Sequence, residues 1–311
     1  MNRLPLVSPL DRILFLKAQP YLLGQPPEVL TALASYSEEV FHPRGTRIRD
    51  AGGRVDRILF LAQGRVDIIE GGDARAPARS VTAPGVVGLA HHFAGTESAP
   101  EVRAARDTLC LEIAVQDLDP ILEDHFTLCL GFAQRGGAEV LARSRASAER
   151  PDEAGFAAPD HRATPVVLDP VQKLAQARRS PFFRGANLTV LGQLVRFQDP
   201  ERIAVGDRLW RIGDPIERMA LVLDGRFHTE GPFAIGRAAS GAVIGAWEIL
   251  EEGLHEESWV AEAAGRILWI DRHAFVDLLE DHWEFAEAYL RHSSCRLVSS
   301  WEAEESLPLR S

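Results

Sequence analysis

The sequence predicts a mainly β protein with flanking helices, built as two β-roll domains of the jelly-roll (double-stranded β-helix) kind in tandem. Three features carry that expectation. Shifted by 161 residues, Pro9 through Val66 falls on Pro170 through Phe227 without a gap, and self-similarity over such a length means one architecture built twice. The 25 glycines and 19 prolines, set against 7% aromatic residues, suit many short strands and turns. Stretches of helical spacing stand before and after each glycine-punctuated run.

The elements follow in the same order in both copies. Pro27 to Ser37 carries Val29, Leu30 and Leu33 at helical spacing, and Leu188 to Leu194 repeats that face. Ile58-Leu59-Phe60-Leu61 before Gly64, and Met219-Ala220-Leu221-Val222-Leu223 before Gly225, read as strand-turn-strand signals. Strands at Cys110 to Ala114 and Ile267 to Ile270 close the copies, each followed by a helical stretch from Leu118 or Ala274 onward. The pairs Gly45/Gly206, Gly52/Gly213 and Gly64/Gly225 hold the frame, with Arg47/Arg208, Arg57/Arg218 and Arg65/Arg226 between them.

A slightly smaller shift of 157 residues brings Gly88 onto Gly245 and Leu122-Glu123-Asp124-His125 onto Leu279-Glu280-Asp281-His282, the mark of a short loop deletion. Ser144 to Val167, rich in Ala, Pro and acidic residues without a period, reads as a linker. The expected division is residues 1–143, a linker over 144–168, and residues 169–311.

Composition narrows the function classes. A net charge of −11, with no Lys/Arg block to offset it, opposes a nucleic-acid partner. Cys110, Cys129 and Cys295 are odd in number and widely spaced among apolar residues, which fits reduced, packed thiols in the cytoplasm and neither a disulfide framework nor a zinc site. Met1 to Leu16 is broken by Pro5, Pro9, Asp11 and Arg12, so it reads as neither signal peptide nor membrane span. Ser-His-Asp, Cys-His, P-loop and dinucleotide fingerprints do not occur at useful spacing, so neither an enzyme nor a cofactor is expected.

The run Gly45, Ile48, Gly52, Leu59-Phe60-Leu61, Gly64, Val66, repeated as Gly206, Leu209, Gly213, Leu221-Val222-Leu223, Gly225, Phe227, resembles the first signature of the cyclic-nucleotide-binding domain family. That family includes catabolite-activator-like bacterial regulators and kinase regulatory subunits, and the match spans nearly the whole chain except the linker. The resemblance implies a β-roll closed by helices, with a phosphate-binding cassette of the form Gly-Glu-x-Ala-Leu, short helix, Arg-Ser/Ala-Ala. In the family the Glu accepts from the ribose 2′-hydroxyl, the Arg pairs with the cyclic phosphate, and the helix N-terminus offers amide N–H groups.

This sequence keeps the cassette's length and loses its chemistry. In the second copy, Val243 to Val260 retains Gly245, but Ala246 stands where the Glu belongs and Glu256, followed by Glu257, where the Arg belongs. In the first copy Gly88 is followed by Leu89 in place of the Glu, and Ser98-Ala99 stands where the Arg is expected, with Pro100 removing one more amide donor. Losing a desolvated Arg–phosphate pair costs about 2–5 kcal/mol, and a carboxylate in its place repels the same anion. Neither pocket is expected to hold cAMP or cGMP in the family's manner. Arg103, pointing outward by strand alternation, and Arg237, lying before the second cassette, are weak substitutes.

Several residues invite a sharper reading than they support. His91-His92 with Glu97 suggests a cupin-like metal site, but adjacent residues on a strand point to opposite faces, so no metal is expected there. His125 and His282 read as helix-end residues beside exposed carbonyls. Glu251, Glu252, Glu256 and Glu257 read as a solvated acidic face, with a partner's Arg or Lys entering the pocket at Glu256 as the sharper alternative.

After His282 the 29 remaining residues fit a closing helix over Phe285 to Trp301 and leave no room for a DNA-binding helix-turn-helix. Output is therefore expected through another protein, without membrane attachment, homo-oligomerisation being left open. The reading is a non-enzymatic regulatory or adaptor protein in signal transduction. The alternative is a receptor for a non-canonical nucleotide or other small-molecule effector, in a cavity made drier by Leu89, Ala246, Trp247 and Trp259.

Overall fold

The computed structural model describes residues 8–69, 79–146, 168–195, 199–232 and 236–305. The chain divides into two compact units, Met1–Gly136 with Ser293–Ser311, and Gly137–His292. The stretch 147–167, most of the expected linker, lies outside the described residues.

In the first unit, α1 (Pro9–Lys17) starts on a capping box. Ser8 accepts from the Asp11 amide and the Asp11 carboxylate accepts from the Ser8 N–H, which satisfies two otherwise orphaned donors. A short turn at Pro20–Leu22 leads to α2 (Pro27–Tyr36), which buries Val29, Leu30, Leu33 and Ala34. The strands follow: β1 (Ser37–His42), β2 (Arg47–Arg49), β3 (Arg57–Gln63), β4 (Arg65–Ile69), β5 (Arg79–Thr82) and β6 (Gly85–Val87). Helix α3 (Leu89–Ala94) interrupts them before β7 (Glu101–Ala104) and β8 (Thr108–Ala114). Two antiparallel sheets result, ordered β1-β8-β3-β6 and β2-β7-β4-β5. Leu59 and Leu61 enter the roll core with Val66, Ile68, Val87, Val102 and Cys110. Ile58 and Phe60, on the other face by alternation, are buried as well. Burial on both faces is why β3 reads as an unbroken apolar run. Helices α4 (Val115–Asp124) and α5 (Phe126–Ala146) close the roll.

The second unit repeats the order. It holds α6 (Pro170–Arg179), a turn at Pro181–Phe183, α7 (Leu188–Val195), β9 (Glu201–Ile203), β10 (Arg208–Trp210), β11 (Arg218–Glu230), β12 (Arg237–Ala239) and β13 (Val243–Ile244). The long β14 (Ser258–Asp271), α8 (Arg272–Asp281) and, up to His292, α9 (Trp283–Glu305) complete it. The sheet runs β10-β14-β11-β12, with β13 on β11 and β9 on β14. Its core joins Trp210, Phe227 and Trp259 to Ile203, Leu209, Val222, Ile244 and Ile267.

The repeat holds at the level of dihedrals. Gly45 and Gly206 both have φ 87°, Gly52 and Gly213 have 92° and 90°, and Gly64 and Gly225 have 92° and 96°. One element differs from the sequence expectation. In the first copy the chain breaks between β3 and β4 at Gly64, whereas β11 passes through Gly225 as one strand. Register shifts between Val222 and Phe227 absorb the turn as bulges, so the ladder onto β14 continues.

The closing helices are divided between the units. α5 enters the second unit from Gly137, and α9 enters the first from Ser293, whereas the sequence assigns each helix to the roll before it. In α9 the stripe Phe285, Ala286, Tyr289, Leu290, Ser293, Ser294, Leu297, Val298, Trp301 is buried along its whole length, at the i, i+3/i+4 spacing of one helix face.

Candidate functional site: two altered phosphate cassettes

The segment expected as the first cassette, residues 85–102, carries no Lys or Arg. Gly88, with φ 101°, is the N-cap of α3, and Leu89 at the start of the helix is buried. Ser98 is exposed and bridged to Gly53. The Ala99 N–H donates to the Gly53 carbonyl at 2.9 Å and the Gly52 N–H to the Ala99 carbonyl at 2.8 Å. That amide is therefore engaged within the fold, and buried Pro100 adds none. Arg103 projects from β7 between buried Val102 and Ala104 and pairs with Glu101 at 2.6 Å, so it faces away from the roll core. Arg237 is likewise exposed while Ala238 is buried.

The three residues of the metal motif part company. His91 is buried against Trp301, ring centroids 5.5 Å apart. His92 pairs with Asp119 at 2.7 Å, and Glu97 reaches Arg54 at 3.4 Å on the surface.

The second cassette forms a turn over residues 245–250 in place of a regular helix. Gly245, at φ 85°, accepts from the Ile249 N–H at 3.0 Å. Ala246 is buried, and its carbonyl accepts from the Tyr289 hydroxyl at 3.3 Å. Burial, helped by Glu251, pushes the pKa of that hydroxyl up, so it stays a donor. Trp247 points toward the helices: it stacks on His292 at 5.2 Å and meets Phe182 at 6.1 Å. This corrects the expectation that Trp247 lines the cavity. Trp259 does belong to the roll core.

Glu256 is an exposed carboxylate just ahead of β14. Its carboxylate Oε2 stands 2.5 Å from Nη1 of Arg145, whose Nε lies 4.0 Å from Oε1 of buried Glu257. One guanidinium thus faces two carboxylates. Glu252, 86% exposed, reaches Arg272 at 3.6 Å. Glu252 and Glu256 are solvated, as the sequence reading has them, Glu257 is buried, and the cation at Glu256 comes from this chain itself.

Beside Glu256, His255 is buried, hydrogen-bonded through Nδ1 to Glu248 at 2.9 Å, and stacked on Trp210 at 4.2 Å with the planes 10° apart. The Trp210 indole N–H donates to the Glu257 carbonyl at 3.1 Å. Aromatic stacking thus fills the roll just under the cassette.

His125 and His282 do sit at helix ends, as the C-caps of α4 and α8. The His282 ring approaches Gln193 at 3.4 Å, so its contact is a neighbouring amide side chain. Among the thiols, Cys110 and Cys129 are buried and Cys295 is exposed, which corrects the expectation that all three are packed. No helix among the described residues is long and apolar enough to cross a membrane.

Sequence reasoning missed Arg145, which lay in a stretch read as linker, and the His255–Trp210 stack, whose partners are 45 residues apart in number (255 − 210). It also missed His42, which stands on β1 beside Cys110 and Glu112 of β8. Periodicity could have signalled α5 reaching Arg145; nothing local signals the other two.

The chain is thus a mainly β fold of two β-rolls with flanking helices. Solved structures to which this fold is similar include regulatory and sensor domains, all at low identity. The regulatory domain of Toxoplasma gondii PKA with cAMP is 12% identical, with 95% of this chain and 97% of that chain covered and a TM-score of 0.34. The regulatory subunit of a cAMP-independent protein kinase A from Trypanosoma cruzi, bound to guanosine, is 16% identical over 86% of this chain and 82% of that one, TM-score 0.33. The sensor domain of the transcriptional regulator DNR from Pseudomonas aeruginosa is 16% identical over 45% of this chain and 95% of that one, TM-score 0.38. No family model matches the sequence. No curated protein matches it either.

Proposed function

We propose that this chain is a non-enzymatic regulatory or adaptor protein that works through protein contacts, and that neither roll holds cAMP or cGMP in the family's way. The observation that carries the reading is the Arg145–Glu256 ion pair at 2.5 Å, which sets a paired carboxylate where the family uses a free guanidinium. Glu257 adds a second, buried carboxylate to the same place. In the first roll, Ser98 and Leu89 supply no charge, and the Ala99 amide is already bonded to Gly53.

The receptor alternative is disfavoured in the second roll, where Trp210 and Trp259 occupy the core a ligand would need. A reducing, cytoplasmic setting fits three reduced thiols. Calorimetric titration of the full chain with millimolar cAMP and cGMP tests the proposal. The expected result is no saturable heat with either; saturable binding in the micromolar range overturns it.

A further inference from the structure

We propose that His42, Cys110 and Glu112 form a binding site for a borderline divalent transition metal of the zinc class, in the first roll and independent of either cassette. The topology brings the three together. β1 and β8 pair antiparallel with Val40 opposite Cys110, His42 opposite Thr108 and Glu38 opposite Glu112. Alternate residues of a strand share a face, so Cys110 and Glu112 point the same way and His42 reaches across to them. Their donor atoms all lie within 4.8 Å of one another.

The spacings suit a tetrahedral ion. Bonds of about 2.0–2.3 Å at tetrahedral angles separate ligand atoms by roughly 3.3–3.7 Å. Cys110 Sγ stands 3.7 Å from Glu112 Oε1, within that separation, and the His42 Nε2–Glu112 Oε1 distance of 2.7 Å has to open by about half an ångström. His42 is the last residue of β1, where such movement is cheapest.

Charge and burial point the same way. A thiolate, a carboxylate and a neutral imidazole carry two negative charges, which cancel those of a divalent cation where Cys110 is fully buried and Glu112 nearly so. Soft sulfur with imidazole selects zinc or its neighbours over magnesium and calcium. The second oxygen of Glu112 lies 3.7 Å from Arg57 Nη1, which also reaches Glu38 at 3.4 Å, an outer contact that orients the ligand carboxylate. The His42 side chain keeps 13% of its exposure and marks the entry side. Three protein ligands leave a fourth position for water or an exogenous donor. On binding, Cys110 exchanges its proton for the metal, the proton leaving to solvent, and the S–H bond to the Val40 carbonyl at 3.6 Å is given up.

The test is a cobalt titration of the reduced, chelator-treated full chain, read by absorption. A thiolate-to-cobalt charge-transfer band saturating at one ion per chain and bleached by zinc is expected. Cys110→Ser abolishes the band, His42→Gln weakens cobalt binding by about tenfold or more, and Cys129→Ala and Cys295→Ser retain it. Should Cys110→Ser misfold, His42→Gln and the two control thiols carry the decision, with circular dichroism reporting folding. Absence of a band at millimolar cobalt, its survival in Cys110→Ser, its loss in Cys295→Ser, or unchanged affinity in His42→Gln overturns the proposal.

Discussion

Arg145 Nη1 meets Glu256 Oε2 at 2.5 Å within the second unit, joining the end of α5 to the cassette. The Glu256 side chain is 61% exposed and the Arg145 side chain 17%, so solvent screens the pair and its coupling is that of a good surface ion pair, about 0.5–1 kcal/mol. A double-mutant cycle of Arg145→Ala and Glu256→Ala, followed by urea unfolding, is expected to return that coupling. Strictly additive effects would show that the two side chains do not act together. Glu256→Arg sets two guanidinium groups face to face and is expected to destabilise more than Glu256→Ala.

Trp301 gives the first unit a distinctive dependence on the far end of the chain. Its ring packs on buried His91 at 5.5 Å, and the Arg79 guanidinium carbon lies 3.5 Å over it. Truncating a buried Trp to Ala costs about 3–5 kcal/mol, with the lost cation–π contact included in that figure. In Trp301→Ala, amide exchange is expected to quicken in α3 and β7 of the first unit while β11 and β14 keep their protection. Loss confined to β11 and β14 would contradict this assignment.

Much of the fold is legible because the same backbone constraints recur in two copies. Gly45 and Gly206 adopt one left-handed value, φ 87°, which other residues adopt only at a cost, so the glycines survive where side chains drift. Ala246 and Glu256 stand out against the cassette that the sequence resembles because the segment from Val243 to Val260 has its full length. Arg145 was hidden since residues 144–146, read as linker, belong to the last turn of α5. The His42–Cys110–Glu112 cluster was hidden for a different reason. It depends on the register of β1 against β8, and strand register across so long a separation has no local signature.

The glycines of the first roll predict a graded response to alanine. At Gly45, with φ 87°, an added Cβ meets nothing within 4 Å, so Gly45→Ala carries only the left-handed strain of about 1–2 kcal/mol. At Gly64, with φ 92°, the Cβ also runs into the Asp107 carbonyl oxygen and, at 2.8 Å, the Thr108 Cα. Backbone cannot yield as a flexible side chain can, so Gly64→Ala is expected to cost about 3 kcal/mol or more. Equal shifts of the unfolding midpoint for the two variants would sink the distinction.

Cys129 predicts a loss of stability at alkaline pH. Burial in α5 raises its thiol from an ordinary 9.0 up to about 12, because the fold disfavours the thiolate. Below about pH 9 both folded and unfolded chains keep the proton and the term is fully present. As pH rises from about 9 to about 12, the unfolded chain releases that proton while the folded one holds it. Stability then falls by about 1.4 kcal/mol per pH unit from this thiol alone. Cys129→Ala removes that part of the slope at the cost of a small cavity, which lowers the whole curve without tilting it. Urea unfolding of both proteins under reductant, at about pH 9, 10 and 11, is expected to show a shallower alkaline decline in Cys129→Ala. Parallel declines would mean that the thiol releases its proton as readily in the fold as in the unfolded chain.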